Sequence, residues 1–216
     1  MTIALNIHHD RHAPVHPAIA DLVETCPLAW VTSRSGEATL GTPLPLVGDF
    51  DDRGRLIAFT GHFALANRQV AALRDEPRAF ILFSGPQAYI APKHVANRSW
   101  APTWNYAVAR FDCRIILLPD ENETALRRLT DKMESTCGDG WTVDEVGQPR
   151  FDMMKARIIA FRAEILACDA TFKLGQDERE ADFATIVAGL EYPALVNWMK
   201  RARGQGADVQ REGEEA

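Results

Sequence analysis

The segment from Thr103 to Leu118 alternates along its length. Phe111, Cys113, Ile115 and Leu117 face one way, and Asp112 and Arg114 face the other. That period of two marks a strand with one buried face, and Pro119-Asp120 stops it. Shorter strand patterns surround it. Leu28–Ser33 and Ala38–Val47 flank the turn Arg34-Ser-Gly36, and Arg55–Thr60 follows the hairpin turn Asp51-Asp-Arg-Gly54. Pro43 and Pro45 cannot donate to a ladder, which makes Ala38–Val47 an edge or an irregular segment. Arg78–Phe83 is a short apolar run fit for a buried strand. Arg157–Ala167 places Phe161, Ala163 and Ile165 on one face and Arg162 and Glu164 on the other. Helical spacing marks 15–25, 63–73, 120–137, 151–156, 177–190 and 193–203. Asp120 and Glu123 have capping-box spacing, and 141–150 reads as loop. There is no regular strand–helix alternation and no G-x-G-x-x-G, which argues against a Rossmann domain. The fold class expected is α+β, mainly antiparallel β: an antiparallel barrel with peripheral helices. The expected organisation is a mobile segment 1–14, a single domain 15–203 with C-terminal helices, and a disordered tail 204–216.

Composition narrows the class. The 216 residues are 46% hydrophobic and 25% charged, ample for one core. No apolar run approaches the ~20 residues that span a bilayer, and the N-terminus lacks the pattern of a signal peptide. Cys26, Cys113, Cys137 and Cys168 are scattered without a C-x-x-C pair, as in a cytoplasmic protein with reduced packing thiols. The formal net charge is −6. The densest basic stretch, Lys200-Arg-Ala-Arg203, precedes the acidic Glu212-Gly-Glu-Glu215, and no helix-turn-helix spacing stands out. Tight duplex DNA binding by this chain alone is therefore not expected.

The chemistry concentrates in two blocks. Ser84-Gly-Pro-Gln-Ala-Tyr-Ile-Ala-Pro92 and Ala101-Pro-Thr-Trp-Asn-Tyr106 set aromatic rings beside amides and hydroxyls. A flat ligand with a polar rim needs that mixture, for stacking and for hydrogen bonds at its edge. The same residues also read as packing aromatics and turn-shaping prolines. A third block, Thr60-Gly-His-Phe-Ala-Leu-Ala-Asn67, is taken to lead from a strand into a helix. Gly61 would permit close backbone approach, and His62, Asn67 and Arg68 would sit near a helix N-terminus, where an anion is favoured. An ordinary polar cap is the competing reading.

Four blocks occur in a fixed order: Gly61–Asn67, Phe83–Pro92, Pro102–Tyr106 and Phe172-Lys-Leu-Gly-Gln176. From about Pro27 to Leu190 the chain resembles the PaiB family of flavin-binding transcriptional regulators. The resemblance implies an FMN-binding split β-barrel like that of pyridoxamine-phosphate oxidase, a homodimer, and FMN at the dimer interface. It implies phosphate contacts from His62, Ala66, Asn67 and Arg68. Thr103, Trp104 and Asn105 would serve the isoalloxazine edge, and Lys173 and Gln176 the flavin site from the partner subunit. Strand alternation puts Thr103 and Asn105 on one face and Trp104 and Tyr106 on the other, so irregular backbone would be needed to aim all four at one ligand. The chain departs from the family at Leu65, where arginine is usual, at Gly175 and Asp177 (serine and asparagine), and at Lys93-His94-Val95 (Ser-Trp-Tyr). Losing the arginine removes a strong anion partner, and an aspartate beside a phosphate repels it.

His8, His9, His12 and His16 invite a metal reading, but His12-Ala-Pro14 opposes a shared helix face and no partner ligands are visible, so no metal site is assigned. No residue is assigned as catalytic, since no clear acid or base stands beside the flavin blocks. The leading function is an FMN-binding regulator of the PaiB type. The alternatives are a flavin-dependent oxidoreductase acting on a small substrate, and a degenerate member that has lost FMN.

Overall fold

The structure, a computed structural model, describes residues 5–10 and 16–214. Its strands are β1 (Leu5–Asp10), β2 (Leu28–Ser35), β3 (Ala38–Pro45), β4 (Val47–Phe50), β5 (Leu56–Ala64), β6 (Arg78–Ile90), β7 (Thr103–Leu117) and β8 (Ile158–Lys173). Its helices are α1 (Pro17–Thr25), α2 (Arg68–Asp75), α3 (Asn122–Cys137), α4 (Gln148–Lys155), α5 (Glu180–Gly189) and α6 (Pro193–Glu214). Leu5–Asp10, within the segment 1–14 expected to be mobile, forms β1 and pairs with β8, and the expected tail 204–216 begins inside α6. Among the described residues, one sheet runs in the order β3-β2-β6-β7-β8-β5-β4, with β1 joined to β8 off this path, and β3 and β4 end the path. The family-type split barrel with peripheral helices is thus realised as an unclosed, mainly antiparallel sheet.

The chain groups into two compact units, and β6, β7 and β8 contribute residues to both. The larger holds residues 8–83 and 109–169, and is called the barrel unit below. The second holds 1–7, 84–108 and 170–216, and is called the C-terminal unit.

The barrel unit follows the alternation in its sequence. Phe111, Cys113 and Ile115 of β7 are buried. Phe59, Phe83 and Phe111 meet with ring centroids 4.8–5.7 Å apart, a tilted and edge-on arrangement that suits aromatic quadrupoles. On the opposite face Arg78 pairs with Asp112, Arg114 with Glu164 and Arg110 with Asp169. Pro43 and Pro45 lie on β3, which takes the edge position that their missing N–H groups require. The strand expected over 38–47 breaks at Leu46. That residue is buried, and its N–H turns to the Pro27 carbonyl at 2.9 Å.

Three boundaries differ from expectation for tertiary reasons. β5 runs on through His62 to Ala64, because it stays paired with β8 as far as Ala64↔Ile158. The helix expected at Phe63 therefore starts at Arg68. Asp120 and Glu123 make no capping box, since the N-cap of α3 is Glu121 and no side chain caps it. Asn122 instead ties this end of α3 to β8, accepting from Ala160 N–H at 2.8 Å and donating to the Lys155 and Ile158 carbonyls. The capping box occurs at Thr142 and Glu145, inside the stretch expected to be loop, and it opens a 3-10 turn over Val143–Val146.

Candidate functional site

In the barrel unit, the block Gly61–Arg68 contains a strand end, a turn and a cap. Asn67 is the N-cap of α2. Its Oδ1 accepts from Gln69 N–H at 2.9 Å, and its Nδ2 donates to Thr42 Oγ1 of β3 at 2.9 Å. Thr42 donates in turn to Gln69 Oε1, and the buried Gln69 amide donates to the Val31 carbonyl and Ser33 Oγ, each at 3.1 Å. Asn67 therefore has structural work at both ends of its carboxamide, and Gln69 is a buried polar residue that the sequence reading missed. Its only signal in the sequence is its place two residues after the cap. Leu65, Ala66 and Arg68 are exposed on this turn.

His62 lies elsewhere. It is two residues along β5 from Thr60, whose hydroxyl accepts from Arg128 of α3 at 3.1 Å, so it shares the face that α3 covers. Burial holds the His62 imidazole below its ordinary pKa, and its Nδ1 is a buried atom without a hydrogen-bond partner. Gly61 serves packing: a Cβ there would meet Phe161 Cζ at 2.9 Å and also Leu46.

In the C-terminal unit, β7 stays regular, so its faces separate the candidates. Trp104 points outward, its ring 6.2 Å from that of Tyr89, and Thr103 and Asn105 share the other face. Lys173 Nζ donates to Thr103 Oγ1 of the same chain, whereas the resemblance implies Lys173 at the flavin site of the partner subunit. Both line a cavity of about 460 Å³ with Asn97, Trp100, Asp177 and Arg179. Gln176 is occupied locally, accepting from Leu174 N–H at 2.8 Å and donating to the Phe172 carbonyl at 2.9 Å. Asn105 is only 2% exposed. Its Nδ2 donates to Met199 Sδ at 3.6 Å, and its Oδ1 has no partner. His94 packs on α5, where a Cβ at Gly189 would collide with its ring.

Whether these residues suit a flavin is decided by Asn105. The flavin pyrimidine edge carries an N–H between two carbonyls, and a buried carboxamide with a free acceptor and a weakly held donor complements such an edge. Thr103 and Lys173 add a hydroxyl and a cation at a cavity of ligand size. The C-terminal unit therefore holds groups of the kind such an edge needs, with Thr103 and Lys173 at the cavity and Asn105 covered by Met199. In the barrel unit, the turn at Leu65–Arg68 offers a helix N-terminus and one arginine for a phosphate.

The sequence reading also missed Asp49. This buried carboxylate pairs with Arg128 and Arg162 and accepts from Thr60 Oγ1 at 3.1 Å. The network joins β4, β5, β8 and α3. Of the histidine cluster, His16 caps α1 through Nδ1, which accepts from Ala18 N–H at 3.2 Å. His12 and the side chains of His8 and His9 lie outside the described residues. Cys113 and Cys168 are buried free thiols. Desolvation raises both pKa values, that of Cys168 to about 12, so neither is a nucleophile at neutral pH. Among the described residues, no helix is long and apolar enough to cross a membrane.

Residues 7–167 match the model of the family described as "Putative FMN-binding domain". The match ends before Lys173, Gln176, α5 and α6. The chain is 27% identical over 162 residues to the Protease synthase and sporulation protein PAI 2 of Bacillus subtilis (strain 168), covering 74% of this chain and 76% of that protein. The fold is similar to that of the FAD and heme binding protein from Mycobacterium smegmatis, with TM-score 0.53, 18% identity, and 82% and 80% of the two chains covered. It is also similar to the flavocytochrome Anf3 from Azotobacter vinelandii, with TM-score 0.53, 14% identity, and 80% and 74% covered. At these identities the two solved structures speak to the fold alone. With three quarters of its length matched, the chain belongs to the FMN-binding domain family.

Proposed function

We propose that this protein is a flavin-binding regulator of the PAI 2 kind. It holds FMN, works as a homodimer in the cytoplasm, and passes its flavin state to a partner protein. The observation that carries this reading is the Thr103–Lys173 pair at the cavity of the C-terminal unit. When bound, FMN supplies reversible electron transfer and a planar ring with a hydrogen-bonding rim. Thr103, Lys173 and Asn105 are the residues offered to that rim. Within the barrel unit taken by itself, Arg68 and the first turn of α2 are suited to an anion, with Asn67 shaping the turn. His62, under α3, and Gln176, occupied in its own loop, are set aside as direct contacts.

The dimer reading is supported by a surface. Leu28, Trp30 and Phe80 are exposed on the adjacent strands β2 and β6, where Trp30 pairs with Leu82 and Thr32 with Phe80. Contiguous apolar exposure of this kind is the mark of an association face. The expectation of no direct duplex DNA binding is supported by the use made of the basic run in α6. Arg203 donates to the Glu178 carbonyl and to Glu180, and Arg201 stacks on Trp198.

A second reading, in which flavin has been lost, draws on Asp177 in the cavity lining and on Leu65 at the turn. The visible spectrum of freshly purified protein, followed by titration with FMN, separates the two. Flavin absorption bands, or saturable binding of added FMN, support the regulator reading. A colourless protein that does not bind FMN supports the loss.

A further inference from the structure

Asn105 is an amide satisfied at neither end by a strong partner. Its acceptor is unpaired, and its donor holds only a thioether sulfur at 3.6 Å. Buried polar atoms seldom remain so without a functional reason. Asn105 lies on the same face of β7 as Thr103, two residues and therefore about 7 Å further along the strand. Thr103 lines the cavity, whereas Asn105 is covered by Met199 of α6. The cover is adaptable. Methionine is unbranched and repacks readily. The loop beneath it turns at Gly175 with φ +74°, and a Cβ there would lie 3.3 Å from Asn105 Nδ2 and 3.6 Å from Met199 Cε. Helix α6 is also tied to the cavity wall, because Arg203 donates to the carbonyl of Glu178, a lining residue, at 3.0 Å.

We propose that Met199 and α6 form a displaceable cover over Asn105, and that Asn105 selects ligands carrying an N–H beside a carbonyl. Such a ligand replaces Met199. Asn105 Nδ2 then donates to the ligand carbonyl, and Oδ1 accepts from the ligand N–H. Ligand occupancy is thereby coupled to the position of α6, and the coupling is reciprocal: loosening the cover tightens the ligand. The inference rests on the flavin reading and adds the route by which occupancy reaches the surface.

Riboflavin is the probe, because it carries the ring edge without the phosphate. Amide hydrogen exchange over residues 195–203 of the full chain is measured with and without saturating riboflavin, and binding is followed by flavin fluorescence. Exchange in this segment is expected to quicken on binding. Met199→Leu keeps the volume but removes the sulfur acceptor, and should bind riboflavin roughly two- to tenfold tighter. Met199→Ala serves as a second variant that opens the cover further. Binding with unchanged exchange and unchanged affinity in both variants overturns the cover and leaves the flavin reading standing. Failure of wild type and both variants to bind either riboflavin or FMN overturns both. Binding by the variants but not by wild type supports a cover that is closed at rest.

Discussion

Asn67 holds two elements with one carboxamide, capping α2 and reaching across to Thr42 of β3. Asn67→Ala should therefore lower stability by at least about 1 kcal/mol, the usual worth of such a cap, as read by urea denaturation. Because Asn67 shapes a turn suited to an anion, its replacement should weaken FMN more than riboflavin. Equal effects on the two ligands would show that this turn does not meet the phosphate. Leu65 is the converse case, exposed on the same turn. Leu65→Arg should tighten FMN about tenfold or more, the worth of a charge-assisted contact, and leave riboflavin unchanged in paired titrations. At this scale the sequence points to this turn for phosphate contacts, and the structure adds that Asn67 caps α2 and binds Thr42. Short polar side chains such as Asn67 and Gln176 look alike whether they bind a ligand or a backbone, and only the neighbours brought in by the fold decide. Thr103 and Lys173 stand out in the sequence through their two ordered blocks, but their meeting within one chain was not legible, because the resemblance implies Lys173 at the partner subunit's flavin site. Asn105 was legible as polar, but its burial under Met199 was not.

At the scale of the element, β5 carries the largest consequences. Its extension through Gly61 and His62 could not be read from a segment rich in small and polar residues, because pairing with β8 rather than local propensity sets its length. Gly61→Ala pushes a methyl into Leu46 and Phe161 and should destabilise by roughly 1–3 kcal/mol, which calorimetry can test. On the outer face, burial favours neutral His62 and lowers its pKa in the fold. The unfolded chain then binds the proton more readily, so the contribution of His62 is present above about pH 6.5, the free imidazole value. It is lost as pH falls through the depressed folded value. Stability should decline from pH 7.5 to pH 5.5 in wild type and decline less in His62→Gln, as followed by denaturant midpoints. The Asp49 network binds the same strand to α3. Asp49→Ala leaves two guanidinium groups without their shared carboxylate, and since both stay partly hydrated it should cost about 1–3 kcal/mol. By contrast β7 was legible almost residue for residue, because one wholly buried face imposes strict alternation.

For the whole molecule, the exposed Leu28, Trp30 and Phe80 set the expected assembly. Trp30→Asp should convert a dimer into a monomer in sedimentation at micromolar concentration. A wild type already monomeric there would remove the dimer from the account. With net charge −6, the purified chain should give no salt-dependent shift of duplex DNA at nanomolar concentration. The antiparallel class was legible from hairpin turns and alternation. The openness of the sheet was not, because it depends on which edge strands find no further partner. Those edges also set how far assembly can go. β3 ends the sheet with Pro43 and Pro45, and β4 ends it after only four residues. An edge lacking donors, or too short to template a ladder, does not recruit another chain strand to strand. Pairing through those two ends is disfavoured, and a self-complementary face of the sheet would instead close on two copies. The prolines are therefore expected to work against growth through β3, so that a dimer made by the faces would not extend from that end into a fibre.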